Sequence, residues 1–88
     1  MKYFYFADEE GSLEYNKAMK ILNETKPNME VAYAYMQTSA DLGHKDAKEK
    51  MAWASLFGRH IKQNLTYAYE LFHELASTGN PDAQMVIF

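Results

Sequence analysis

Residues 31–52 match residues 67–88 when the chain is shifted by 36 positions. Ala32 falls on Ala68, Tyr33 on Tyr69, Ala40 on Ala76, Gly43 on Gly79, Asp46 on Asp82 and Ala47 on Ala83. Six of the 22 pairs are identical, and Met36 with Phe72 and Met51 with Ile87 are similar, which exceeds what composition alone gives. A fixed period of this length marks a structural unit that stacks on copies of itself, because one unit cannot bury its apolar face alone. The matched residues are physically coherent. Alanines at fixed places let two helices approach closely. The glycine stands where a helix must end in a left-handed cap. The following alanine opens the next helix where it packs on its neighbour.

Punctuation divides the chain into helices. The first is expected over about Leu13 to Leu22, with Ser12 as N-cap, before the break Thr25-Lys26-Pro27-Asn28. The second is expected over Met29 to Leu42, ending at Gly43, and the third over Asp46 to Phe57, ending at Gly58. Arg59 to Gln63 reads as a loop, and the fourth helix as Leu65 to Thr78, ending at Gly79. Asn80-Pro81 restarts a fifth, with proline at a position where its missing N–H costs nothing. Apolar residues recur at three and four: Val31, Tyr35, Met36 and Leu42, then Met51, Ala54 and Phe57, then Ala68, Leu71, Phe72 and Leu75. That is helical spacing, not strand alternation. The expectation is an all-α chain of antiparallel helix hairpins, an α-solenoid. Its expected divisions are an aromatic and acidic segment over 1–11, repeats over 12–45 and 46–81, and the start of a third repeat over 82–88.

Composition removes several functional classes. A chain that is 48% apolar and 15% aromatic can bury a core. A net charge of −3 lacks the basic footprint of a nucleic-acid binder. With no cysteine, disulfides and thiolate metal sites are excluded. No apolar run approaches the ~20 residues of a membrane span. The start, Met1-Lys2-Tyr3-Phe4-Tyr5-Phe6-Ala7, is too short for a signal-peptide core and runs into Asp8-Glu9-Glu10, so it reads as an aromatic segment packing beside the first helix.

The period and its alanine and glycine positions resemble the Sel1-like repeat, a relative of the tetratricopeptide repeat. One unit reads Ala47, Met51, Ala52, Ala54, Ser55 and Gly58, then Ala68, Leu71, Phe72, Leu75, Ala76, Gly79 and Ala83. The preceding unit keeps Ala32, Tyr35, Met36, Ser39, Ala40, Gly43 and Ala47. Ala52 stands where the family has glycine, Ser55 where it has an aromatic residue, and Leu75 and Ser39 where it has alanine. Lys17 to Asn23, Ala32-Tyr33-Ala34-Tyr35, Trp53 to Gly58 and Gln63-Asn64 are similar to the first luminal repeats of the SEL1L/Hrd3 family. That resemblance implies a right-handed α-solenoid scaffold of endoplasmic-reticulum-associated degradation. It implies as partners an Hrd1-type ubiquitin ligase complex and misfolded glycoprotein substrates, and as location the endoplasmic reticulum lumen. A generic Sel1-type adaptor outside that compartment, cytoplasmic or bacterial, stays open, as does a truncated copy without function of its own.

Candidate sites follow. Asn23-Glu24-Thr25 and Asn64-Leu65-Thr66 are glycosylation sequons. Asn23 also suits a helix C-cap and Asn64 an N-cap. The resemblance places the first helix of each repeat on the concave surface, which makes Trp53, Arg59, Lys48 and Lys50 candidate partner-binding residues. Tryptophan and arginine are favoured at interfaces. Alternatively, Trp53 packs beneath the N-terminal aromatic segment. Tyr33, Tyr35, Tyr67 and Tyr69 are expected to stack in the helix–helix core.

Catalytic and metal chemistry finds little support. His73-Glu74-Leu75-Ala76-Ser77 opens like a zinc-protease motif, but serine stands where the second histidine ligand belongs. His44 and His60 fall in connecting segments and read as surface or partly packed histidines. Glu70 and Glu74 lie one helical turn apart and read as a solvated face rather than an acid/base pair. No nucleophile elbow, phosphate loop or dinucleotide fingerprint occurs. A non-enzymatic interaction scaffold without cofactor or metal is therefore expected. The apolar end Ala83, Met85, Val86, Ile87 and Phe88 suggests an unfinished stack that continues, docks on another chain or self-associates.

Overall fold

The computed structural model describes residues 10–77. Four helices follow one another: α1 (Ser12–Leu22), α2 (Met29–Asp41), α3 (Lys45–Phe57) and α4 (Leu65–Ser77). No strand occurs among the described residues. Each helix packs on the next, α1 on α2, α2 on α3 and α3 on α4. Short connections between packed neighbours make them antiparallel. The architecture is the expected all-α stack of hairpins. Most of the N-terminal segment, the fifth helix, Gly79, Ala83 and the apolar C-terminal end lie outside the described residues.

Local chemistry accounts for the helix ends. Asn28 Oδ1 accepts from the Val31 N–H at 3.1 Å, capping α2. At the other end of α2, Gly43 takes φ +101°. Its N–H donates to the Ala40 carbonyl at 3.0 Å, and the His44 N–H donates to the Ser39 carbonyl at 3.1 Å. These paired bonds form a Schellman motif that satisfies two terminal carbonyls. α3 ends at Gly58 (φ +67°), with the Arg59 N–H reaching the Ala54 carbonyl at 3.0 Å. Asn64 Oδ1 accepts from the Tyr67 N–H at 3.0 Å and caps α4.

The start of α1 corrects one expectation. Ser12 is not the N-cap but the first helical residue, and Gly11 precedes it at φ +86°. The Gly11 carbonyl already accepts from the Tyr15 N–H at 2.9 Å, so the ladder begins one residue early. α3 also starts one residue early, at Lys45, because His44 supplies its cap.

The core repeats with the sequence period. Ala32 and Ala68 are fully buried, and so, within 1%, are Met36 and Phe72. The same offset relates buried Ala18 to buried Ala54, which extends the match back into α1 and α3. Burying a side chain such as Phe72 or Met36 contributes about 1.5–3 kcal/mol. The alanines between them let the helix axes approach.

The buried stripe is narrower than the apolar spacing suggests. Val31, Leu42 and Phe57 were expected on it but are exposed, and so is Tyr69. They lie off the most tightly packed positions, whereas Ala32, Met36, Ser39 and Ala40 share the buried face of α2. Of the other tyrosines expected in the core, Tyr33, Tyr35 and Tyr67 are half-buried at its edge.

Candidate interaction site between α1 and α3

Because α1 and α3 both pack on α2, a cleft opens between them. Its volume is about 400 Å³. Met19 and Leu22 on α1 form one wall, and Trp53, Ala54 and Phe57 on α3 form the other. Tyr33 of α2 also lines it, together with Lys50 and Arg59. The left-handed turn at Gly58 brings Arg59 back beside α3, and its guanidinium lies 6.0 Å from the Phe57 ring centroid.

Trp53 joins this cleft to the core. Its ring meets Phe72 edge-on at 4.9 Å and stacks parallel to Phe57 at 5.8 Å. Edge-to-face and offset stacks suit the ring quadrupoles. Trp53 is thus held by the core on one side and half-buried, with its other side lining the cleft. Phe57, beside it, is 60% exposed. The His60 ring stacks on Tyr33 at 5.4 Å, and its backbone takes φ +67°, a rare conformation for a residue with a Cβ.

Three of the four candidate partner-binding residues, Trp53, Lys50 and Arg59, therefore line one cleft. Lys48 does not. Its ammonium pairs with Glu74 of α4 at 2.8 Å. Met19, Leu22, Tyr33 and Phe57 also line the cleft, although the sequence did not mark them as partner-binding residues. The helical period places Met19 and Leu22 on one face, but which neighbour that face meets is a tertiary fact.

Away from the cleft, a polar bridge links α2 and α4. Gln37 Nε2 donates to the Tyr67 hydroxyl at 2.7 Å and to Asp41 Oδ1 at 2.8 Å. Burial, with the Asp41 and Glu74 charges, pushes the Tyr67 phenol above its ordinary value against the opposing effects of Gln37 and Lys48. Tyr15 is raised too, first by burial and then by Asp46 and Glu49.

His44 is more deeply placed than a connecting segment suggests, at 6% exposure. Its Nδ1 accepts from the Ala47 N–H at 3.2 Å, capping α3, and its ring stacks on Tyr15 at 4.4 Å. His73, Glu70 and Glu74 are exposed on α4. Among the described residues no three His, Cys, Asp or Glu side chains converge to hold a metal ion. Both sequon asparagines, Asn23 and Asn64, are exposed at helix ends. No helix of the described residues is long and apolar enough to cross a membrane.

No family model matches the chain, and no solved structure matches it. Curated relatives do. Protein sel-1 homolog 2 of Homo sapiens is 38% identical over 78 residues, and its counterparts in Rattus norvegicus and Mus musculus show the same identity over the same length. The match takes in 86% of this chain and 11% of each relative, so the chain spans about a ninth of their length. The helix hairpins, the buried alanines on a shared period and these relatives converge on one conclusion: the chain is a Sel1-like protein.

Proposed function

We propose that the protein is a non-enzymatic interaction scaffold, the role its Sel1-like character makes plausible. The observation that carries this reading is the cleft between α1 and α3, which gathers Trp53, Lys50 and Arg59 against exposed Phe57. Aromatic and arginine side chains anchor protein partners. In this reading the helices fall into repeats over 12–45 and 46–81, and 82–88 opens a third.

The finer reading places the scaffold among SEL1L/Hrd3-like adaptors of an endoplasmic reticulum ubiquitin-ligase complex. Its partners there are an Hrd1-type ligase and misfolded glycoproteins, and Asn23 and Asn64 carry glycans. The name sel-1 homolog on the relatives supports this reading, as does the exposure of both asparagines. One observation favours a module outside that compartment: the Asn64 side chain already serves as the α4 cap.

The test is expression behind a signal peptide in animal cells, followed by peptide-N-glycosidase. A downward mobility shift is expected, lost stepwise in Thr25→Ala and Thr66→Ala, which remove the sequons but keep both asparagines. Absence of any shift overturns the luminal glycoprotein reading. Failure to co-purify an Hrd1-type ligase from the same cells overturns the adaptor assignment.

A further inference from the structure

We propose that the α1–α3 cleft binds an extended peptide segment in which a carboxylate side chain adjoins a large apolar one. The proposal rests on the scaffold reading and adds the chemistry of the partner. Its first support is charge. The chain as a whole carries −3, yet among the described residues the charged groups lining this cleft are both cationic, Lys50 and Arg59. Neither has a carboxylate within ion-pairing distance among the described residues, whereas Lys48 on the same helix is paired with Glu74. Lys50 and Arg59 thus give the cleft a positive charge that no described carboxylate pairs with, and an acidic ligand is its complement.

The second support is shape. Trp53 and Phe57 stack parallel at 5.8 Å and give a flat aromatic wall, facing Met19 and Leu22 across the cleft. Phe57 is 60% exposed, an arrangement that wastes apolar surface unless a ligand covers it. A volume of about 400 Å³ accommodates one or two large side chains, not a helix. The guanidinium over Phe57 ties the two halves together, since a carboxylate bound by Arg59 lies beside the aromatic wall. The occupant's two required groups are therefore neighbours in its sequence.

The test selects from a random twelve-residue phage-displayed peptide library on the full chain. Enrichment of peptides with Asp or Glu beside Phe, Leu or Trp is expected. An enriched peptide, fluorescently labelled, should bind at least tenfold more weakly to Lys50→Glu/Arg59→Glu, and more weakly to Phe57→Ala. These positions lie outside the buried core, and circular dichroism checks that the variants remain helical. Replacing the peptide's acids with lysine should restore binding to the charge-reversed protein. Enrichment of basic or uncharged peptides, no enrichment, or binding indifferent to the charge reversal overturns the proposal. If deleting residues 1–10 proves necessary for binding, the chain's own acidic and aromatic N-terminal segment is the occupant, and the partner proposal fails. None of these results depends on glycosylation or on a ligase, so the cleft and the adaptor assignment fail separately.

Discussion

The Ser39 hydroxyl of α2 donates a 2.7 Å hydrogen bond to the carbonyl oxygen of Gly11, 28 residues earlier, and fixes the start of α1 against α2. Ser39 is fully buried. Gly11 lies so close that a Cβ built on it falls 2.7 Å from the Ser39 carbonyl oxygen. The serine that replaces a family alanine and the glycine opposite it are one contact.

This contact predicts opposite effects at two buried serines. Ser39→Ala loses a hydrogen bond and should destabilise by about 1 kcal/mol. The Ser55 hydroxyl, 1% exposed, has no hydrogen-bond partner among the described residues. Ser55→Ala removes an unsatisfied group and improves helix propensity, so it should stabilise by about 1 kcal/mol. Urea unfolding followed by Trp53 fluorescence measures both. Equal signs would contradict the assignment of the two hydroxyls.

The glycines divide in the same way. At Gly43 a Cβ meets nothing within 4 Å, so Gly43→Ala carries only the left-handed backbone penalty of about 1–2 kcal/mol. Gly11→Ala carries that penalty and a collision with backbone that cannot move without disturbing α2. Its melting temperature should fall clearly below that of Gly43→Ala.

Alkaline pH should weaken the fold through Tyr67. Its phenol titrates above its ordinary value in the folded chain, so the fold prefers the neutral form. The stabilisation is fully present below the unfolded value of about 10 and is lost as pH rises through the higher folded one. Tyr67→Phe should cost about 1 kcal/mol at neutral pH through loss of the Gln37 bond. It should then lose less stability than the parent as pH rises past about 10, because the ionisable group is gone. Tyr15→Phe should flatten the alkaline limb in the same direction. Denaturation midpoints measured on either side of that pH check the sign.

The Lys48–Glu74 pair should matter little. Its side chains are 25% and 55% exposed, so water and salt screen the attraction. Replacing both with alanine should change stability by less than about 1 kcal/mol, and the pair's coupling in a double-mutant cycle should shrink further with added salt.

The sequence by itself determined the four helices and most of their ends, the starts of α1 and α3 being one residue off. Asn28, Gly43, Gly58 and Asn64 act through hydrogen bonds and φ values only a few residues away, so their roles are written locally. The 36-residue period likewise fixed that Ala32 and Ala68, or Met36 and Phe72, occupy equivalent buried places. What only the tertiary structure decided was where helices meet across distance. Nothing local indicates that Ser39 reaches Gly11, that the His44 ring stacks on Tyr15, or that Lys50 lines a cleft while Lys48 pairs with α4. Val31 and Phe57 are exposed for the same reason. Helical periodicity assigns a residue to a face, but the angle and neighbour of each packed helix decide whether that face is covered.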